Sequence, residues 1–116
     1  MPGAGSGMAL THAAPATPID VHPFGAQLRA QTTHALFKSA QLQVVRIVLK
    51  TGERLPPHSV AGEITVQCVE GEIELSADDR RLRLAAGQLC YLTPRCVHGL
   101  LALSDASALV TIALHG

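Results

Sequence analysis

Few side chains in this chain can do chemistry: six histidines, three cysteines and one tyrosine, beside nine acidic and nine basic residues. An imidazole can act as a base, a proton donor or a metal ligand. His12, His22, His34 and His115 lie in the tail or at strand ends and carry no spacing signal. Cys68, Cys90 and Cys96 make an odd set with no Cys-x-x-Cys pair, which argues against a disulfide framework and a zinc knuckle alike. Reduced thiols behaving as small hydrophobes are expected instead. Tyr91 is expected to pack with its hydroxyl at a rim. Arg46 interrupts an apolar strand; an outward, solvated side chain is expected there, with an anion contact inside a cavity as the alternative.

These residues sit in a chain of 116, enough for one compact domain that buries between about 60 and 70% of its unfolded surface. The core must be aliphatic: 47% of residues are hydrophobic, yet Phe24, Phe37 and Tyr91 are the only aromatics. The formal net charge is zero, so neither nucleic acid nor an anionic membrane is an expected partner. No apolar run approaches the roughly 18 residues of a membrane span. Arg29 is the first Lys or Arg, so the start resembles neither a secretory signal nor a transit peptide, and a cytoplasmic protein is expected.

Residues 1–18 are rich in Gly, Pro and small side chains and are expected to form a flexible tail, with one domain over 19–116. Phe24 to Gln31 can form a single helical turn. After it the pattern is that of short strands. Val45, Ile47 and Leu49 share a face within Gln43 to Lys50. Glu72 to Ser76 and Arg81 to Leu84 alternate cleanly around an Ala77-Asp78-Asp79-Arg80 turn, predicting a hairpin. Leu89 to Thr93, His98 to Leu103 and Leu109 to Leu114 complete the series. Frequent turns without long helices predict an all-β antiparallel sandwich or barrel.

Two stretches, GERLPPHSVAGEITVQCVEG from Gly52 to Gly71 and GQLCYLTPRCVH from Gly87 to His98, resemble in order the two motifs of the cupin superfamily. The likeness, to small RmlC-like members, covers about residues 24 to 114. It implies a jelly-roll β-barrel (a double-stranded β-helix), commonly dimeric, with a cavity at one end. It also implies ligand positions. His58 matches the first histidine of the metal-binding members and His98 the last, whereas Val60 stands where the second histidine belongs and Ile64 where the carboxylate belongs. Arg95 stands where a loop glycine is usual.

Neighbours could replace the two missing ligands. Ile64, Val66 and Cys68 share one strand face, and Thr65 and Gln67 share the other with Glu63. A bulge near Gly62 would be needed to bring Glu63 or Gln67 inward. With one of them, His58 and His98 could hold Zn, Ni, Fe or Mn. Gln67 could otherwise hydrogen-bond at a dimer face, and Cys68 could be a buried thiol or a ligand. The expected cavity residues are therefore His58, Val60, Ile64, Gln67, Cys68, Tyr91 and His98.

The reading that follows is a small-molecule pocket in the barrel, with a divalent metal as a possible cofactor and no nucleotide cofactor. The alternatives are a metal-dependent dioxygenase or isomerase and a non-enzymatic, ligand-sensing dimer. A homodimer is expected, with Gln31 to Lys38 as the segment that could add a strand to its partner.

Overall fold

The computed structural model describes residues 12–114, and the remainder of the expected tail, with His115, lies outside them. A short 3-10 helix, Gly25–Ala30, precedes nine strands. These are β1 (His34–Lys38), β2 (Leu42–Leu49), β3 (Arg54–His58), β4 (Ile64–Glu70), β5 (Glu72–Ala77), β6 (Arg80–Ala85), β7 (Leu89–Leu92), β8 (His98–Ala102) and β9 (Ala106–Ala113). They form two antiparallel sheets, one ordered β1-β2-β9-β4-β7 and the other β3-β8-β5-β6. This is the jelly-roll arrangement. Among the described residues, no helix is long and apolar enough to cross a membrane.

Strict alternation builds the core between the sheets. Ile64, Val66 and Cys68 of β4 point inward, as do Ile73 and Leu75 of β5, and all five are almost fully buried. Each such aliphatic side chain contributes about 1.5–3 kcal/mol relative to exposure. The expected β5–β6 hairpin is present, with Asp78 at φ 55° in its turn. At Gly71 the chain reverses with φ +75°, and a Cβ there would collide with the Asp105 carbonyl and Ala106, so only glycine closes the β4–β5 turn.

Two elements differ from expectation. Arg54-Leu55-Pro56-Pro57-His58 is a strand despite two prolines, because β3 lies at a sheet edge where the missing N–H groups are not needed. β9 starts at Ala106, three residues before the expected start at Leu109. β1 pairs with β2 of its own chain and forms the end of that sheet. Within the expected tail, the Ala13 N–H donates to the Leu36 carbonyl at 2.9 Å, so contact with the sheet begins before residue 19.

Arg46 is the largest correction. Its parity is outward as expected, but it is 1% exposed, because residues 22–28 run over this face of the sheet as a strap. Its Nη2 donates to the His22 carbonyl at 2.7 Å and to Ser107 Oγ at 3.0 Å, and lies 3.4 Å from Glu70 Oε2. The guanidinium stacks on Phe24, 4.2 Å from the ring centre. Glu70 also accepts the Phe24 and Gly25 N–H groups and the Ser107 hydroxyl. Arg46 therefore does not line the cavity.

A second clasp holds the 3-10 helix. Asp105 accepts the Thr51 N–H, the Thr51 hydroxyl and Arg29 Nη1, at 2.8, 3.0 and 2.9–3.0 Å. The Thr51 amide, then Arg29 and the Thr51 hydroxyl, hold its carboxyl down at about 2 against an ordinary 3.8. With a depressed folded-state value, the stability it contributes is complete above about pH 4 and is lost as pH falls toward 2. Asp105→Asn is expected to lower the urea midpoint at pH 7 and to flatten its fall between pH 4 and 2. An unchanged acid slope would contradict this role.

Candidate functional site

His58 and His98 face each other because of strand register. β3 and β8 are antiparallel neighbours with His58 directly opposite His98, and cross-strand pairing brings the ring centres to 4.5 Å. The ladder shifts between Leu55 and His58, where Pro56 and Pro57 have no N–H to give. Gly99 allows the approach: a Cβ there would lie 2.9 Å from the Leu55 carbonyl oxygen. On the other side of His98, the Asp78 N–H donates to the Val97 carbonyl at 2.7 Å and its carboxylate accepts the Val97 N–H at 3.0 Å. The β5–β6 turn thus fixes the start of β8.

The loop before His98 carries backbone strain. Arg95 has φ +65°, the left-handed region that disfavours any side chain, and its N–H donates to the Val60 carbonyl at 2.9 Å. This is the position where the resemblance implies glycine. Arg95→Gly is expected to raise stability by about 1 kcal/mol, measured by urea unfolding; a loss of stability would show that the arginine side chain holds the loop.

The two imidazoles stand at one end of a cavity of about 260 Å³ between the sheets. Val45 and Ile47 of β2, Ile64 and Val66 of β4, and Val110 and Ile112 of β9 form one wall. Leu55, Val60 and Leu100 complete it on the histidine side. His98 is buried at 6% exposure, whereas His58 is exposed at the mouth. His98 Nδ1 lies 3.0 Å from the Cys96 carbonyl and His58 Nδ1 lies 3.3 Å from the Pro56 carbonyl. A larger concavity, about 430 Å³, lies on the outer face of the four-stranded sheet; Arg54, Glu74, Asp79 and Arg81 line it with charges of both signs, and neither imidazole reaches it.

Of the residues singled out from sequence, His58, Val60, Ile64 and His98 come together at the cavity. Four others do not. Glu63 lies on the opposite side of the sheet, where it accepts the Tyr91 hydroxyl at 2.5 Å. That hydrogen bond, with a minor contribution from burial, pushes the Tyr91 phenol up. Gln67 pairs with Leu89 and Leu109 and shares the outer parity of Thr65, since the β4 ladder runs without a shift from Ile64 to Cys68. Cys68 has the inward parity but lies one step deeper than Val66, in the packed end of the core. Its thiol donates to the Glu70 and Gly71 carbonyls, each at 3.4 Å, and burial pushes it up.

A metal of the kind implied by the resemblance needs a fuller donor set than this cavity has. Among the described residues, no group of three or more His, Cys, Asp or Glu side chains converges to hold an ion. Val60 and Ile64 present hydrocarbon where a histidine and a carboxylate would be required, and the Glu63 carboxylate points away. Two imidazoles against an aliphatic wall do not fit a divalent metal centre.

Comparison with known proteins adds a family and a fold. A family model described as a cupin domain matches residues 45–114. An RmlC-like cupin protein from Desulfovibrio desulfuricans is 26% identical, over 84% of this chain and 96% of that one, with a TM-score of 0.72. An RmlC-like cupin family protein with a double-stranded β-helix fold, from Methanocaldococcus jannaschii, is 20% identical over 85% and 94%, at 0.71. A conserved protein of unknown function from Streptococcus pyogenes is 20% identical over 93% and 98%, at 0.72. At that identity the last two speak for the fold alone. No curated protein matches the chain.

Proposed function

The chain belongs to the cupin family, and on that premise we propose that it binds a small, mainly apolar molecule in its barrel cavity without a resident metal. One observation carries this reading: the cavity wall is aliphatic except for two imidazoles at one end. Apolar walls with a few converging polar groups are the usual composition of a ligand pocket. The volume, about 260 Å³, falls just under the range of drug-sized pockets, so the ligand is small. An engineered apolar cavity of about 150 Å³ takes a benzene ring, so this one takes a ring with a short substituent.

Binding rather than turnover is the function that the geometry supports. General acid–base catalysis by an imidazole relies on a group that orients it and a second acid or base across the substrate. Among the described residues backbone carbonyls orient both imidazoles, but no carboxylate or other acid–base side chain lines the cavity across from them.

The test combines elemental analysis with thermal unfolding in the presence of small apolar fragments. The protein is expected to hold well under one metal per chain, and fragments of one ring are expected to raise its Tm. Val110→Phe, which fills the cavity, is expected to abolish that rise. Near-stoichiometric metal, or fragments that stabilise Val110→Phe as well as the wild type, would contradict the reading.

A further inference from the structure

The histidine tautomers narrow the chemistry of the ligand. A carbonyl oxygen only accepts, so the Nδ1 atoms of His58 and His98 must carry protons where they meet the Pro56 and Cys96 carbonyls. Both bonds run back two residues along the chain, from His58 within β3 and from His98 to the loop before β8, which means that the local backbone sets each tautomer. In the neutral ring, Nε2 is then a bare lone pair. The rest of the lining contains no Lys, Arg, Ser, Thr, Asn, Gln, Asp or Glu side chain. At its polar end the cavity therefore offers two acceptors and no side-chain donor.

This composition discriminates. A carboxylate or phosphate would set its own lone pairs against those of the rings. An ether or ketone would bring an acceptor to a site with no side-chain donor to meet it. A pure hydrocarbon would displace water from the cavity and leave Nε2 of His98, on a residue that is 6% exposed, without a partner, which costs affinity. A hydroxyl on an apolar body satisfies the site.

We infer that the cavity selects a neutral hydroxyl compound, of the phenol or small alcohol class, whose O–H donates to Nε2 of His98 with His58 alongside at the mouth. This rests on the binding reading above and adds to it the polarity of the ligand. His98 carries the larger effect because it is buried, while water can reach the exposed His58.

The experiment compares four probes by calorimetry on the full chain: 4-propylphenol, propylbenzene, 4-propylanisole and 4-propylbenzoate. It is run at pH 8. The phenol is expected to bind about tenfold or more tighter than each of the other three. In His98→Leu the advantage of the phenol over propylbenzene is expected to vanish while propylbenzene still binds. A readout that needs no variant is the ¹⁵N resonance of His98 Nε2 in the wild type, expected to move on adding the phenol and to stay nearly still on adding propylbenzene. If propylbenzene or the anisole binds as tightly as the phenol, or the benzoate binds best, the cavity binds ligands but the donor requirement is overturned. If none of the four binds, the binding reading itself falls with it.

Discussion

Replacing Arg46 by Ala is expected to lower the unfolding free energy by about 3–5 kcal/mol, the loss typical of removing one partner from a buried ion pair. At about 4 °C or more per kcal/mol, Tm should fall by at least roughly 12 °C. Arg46 is 1% exposed and reaches the strap and the sheet together, through the His22 carbonyl, the Phe24 ring, Ser107 and Glu70. Truncation would leave Glu70, itself largely covered, without its countercharge, and would open a cavity beneath Phe24. Arg46→Lys should recover only part of the loss, because a lysine cannot stack its planar fork on Phe24 while bonding to several acceptors.

The same cluster has a pH signature. Burial pushes the Glu70 carboxyl up, but the Ser107 hydroxyl, the Phe24 and Gly25 amides and the Arg46 charge outweigh it and hold the group below its ordinary 4.5. Because the folded value is depressed, the contribution of Glu70 is complete above about pH 4.5 and is lost as the pH falls through the folded value. Urea unfolding of wild type and Arg46→Ala at pH 7 and pH 4 checks both statements. A loss under 1 kcal/mol in Arg46→Ala at pH 7 would show that the strap is not held by this side chain.

Ile64→Glu is the second large effect, also expected at about 3–5 kcal/mol, since it places an unpaired carboxylate in an aliphatic wall. Ile64 is 3% exposed and lines the cavity together with Val60 and the two imidazoles. Adding Val60→His would supply the fourth donor. Structural zinc sites with four protein ligands are worth about 10–16 kcal/mol, so the double variant should be destabilised when metal-free and strongly restabilised by Zn²⁺. The wild type, with two donors, should show little zinc-dependent change in Tm. The measurement is thermal unfolding with and without one equivalent of Zn²⁺. Equal stabilisation of wild type and double variant would mean that the native cavity already holds a metal, contrary to the donor set described above.

Legibility in the sequence followed the strength of the physical signal. The β5–β6 hairpin is plain because Ile73, Leu75, Leu82 and Leu84 alternate with charged residues that face water. β3 is obscured because prolines normally exclude a central strand, and edge position is a property of the assembled sheet. The start of β9 is obscured because Ala106, Ser107 and Ala108 have little strand preference and are small to fit a crowded interior.

At the site, parity correctly separates Ile64 and Val66 from Glu63 and Gln67, and the unbroken β4 ladder keeps them separate. Parity cannot say how far along the barrel the cavity extends, which is why Cys68 shares a face with Val66 yet lies in packed core. Nor can it show that a segment twenty residues earlier covers the far side of the sheet and buries Arg46. The one trace of that contact in the sequence is an arginine within an apolar strand, a residue type that must find partners if it is covered. The register that sets His58 opposite His98 belongs to the same class: each lies on a recognisable motif, but only the folded sheet brings them face to face.

The most direct test of the central claim, that the end of the barrel beneath the two histidines is an apolar binding cavity, is a methyl NMR titration of wild type with propylbenzene. The methyl groups of Ile47, Ile64, Val66, Val110 and Ile112 are expected to shift together and saturate at one ligand per chain, while Thr65 and Thr111 on the outer face stay in place. Shifts confined to the outer face, or none at saturating ligand, would contradict the account.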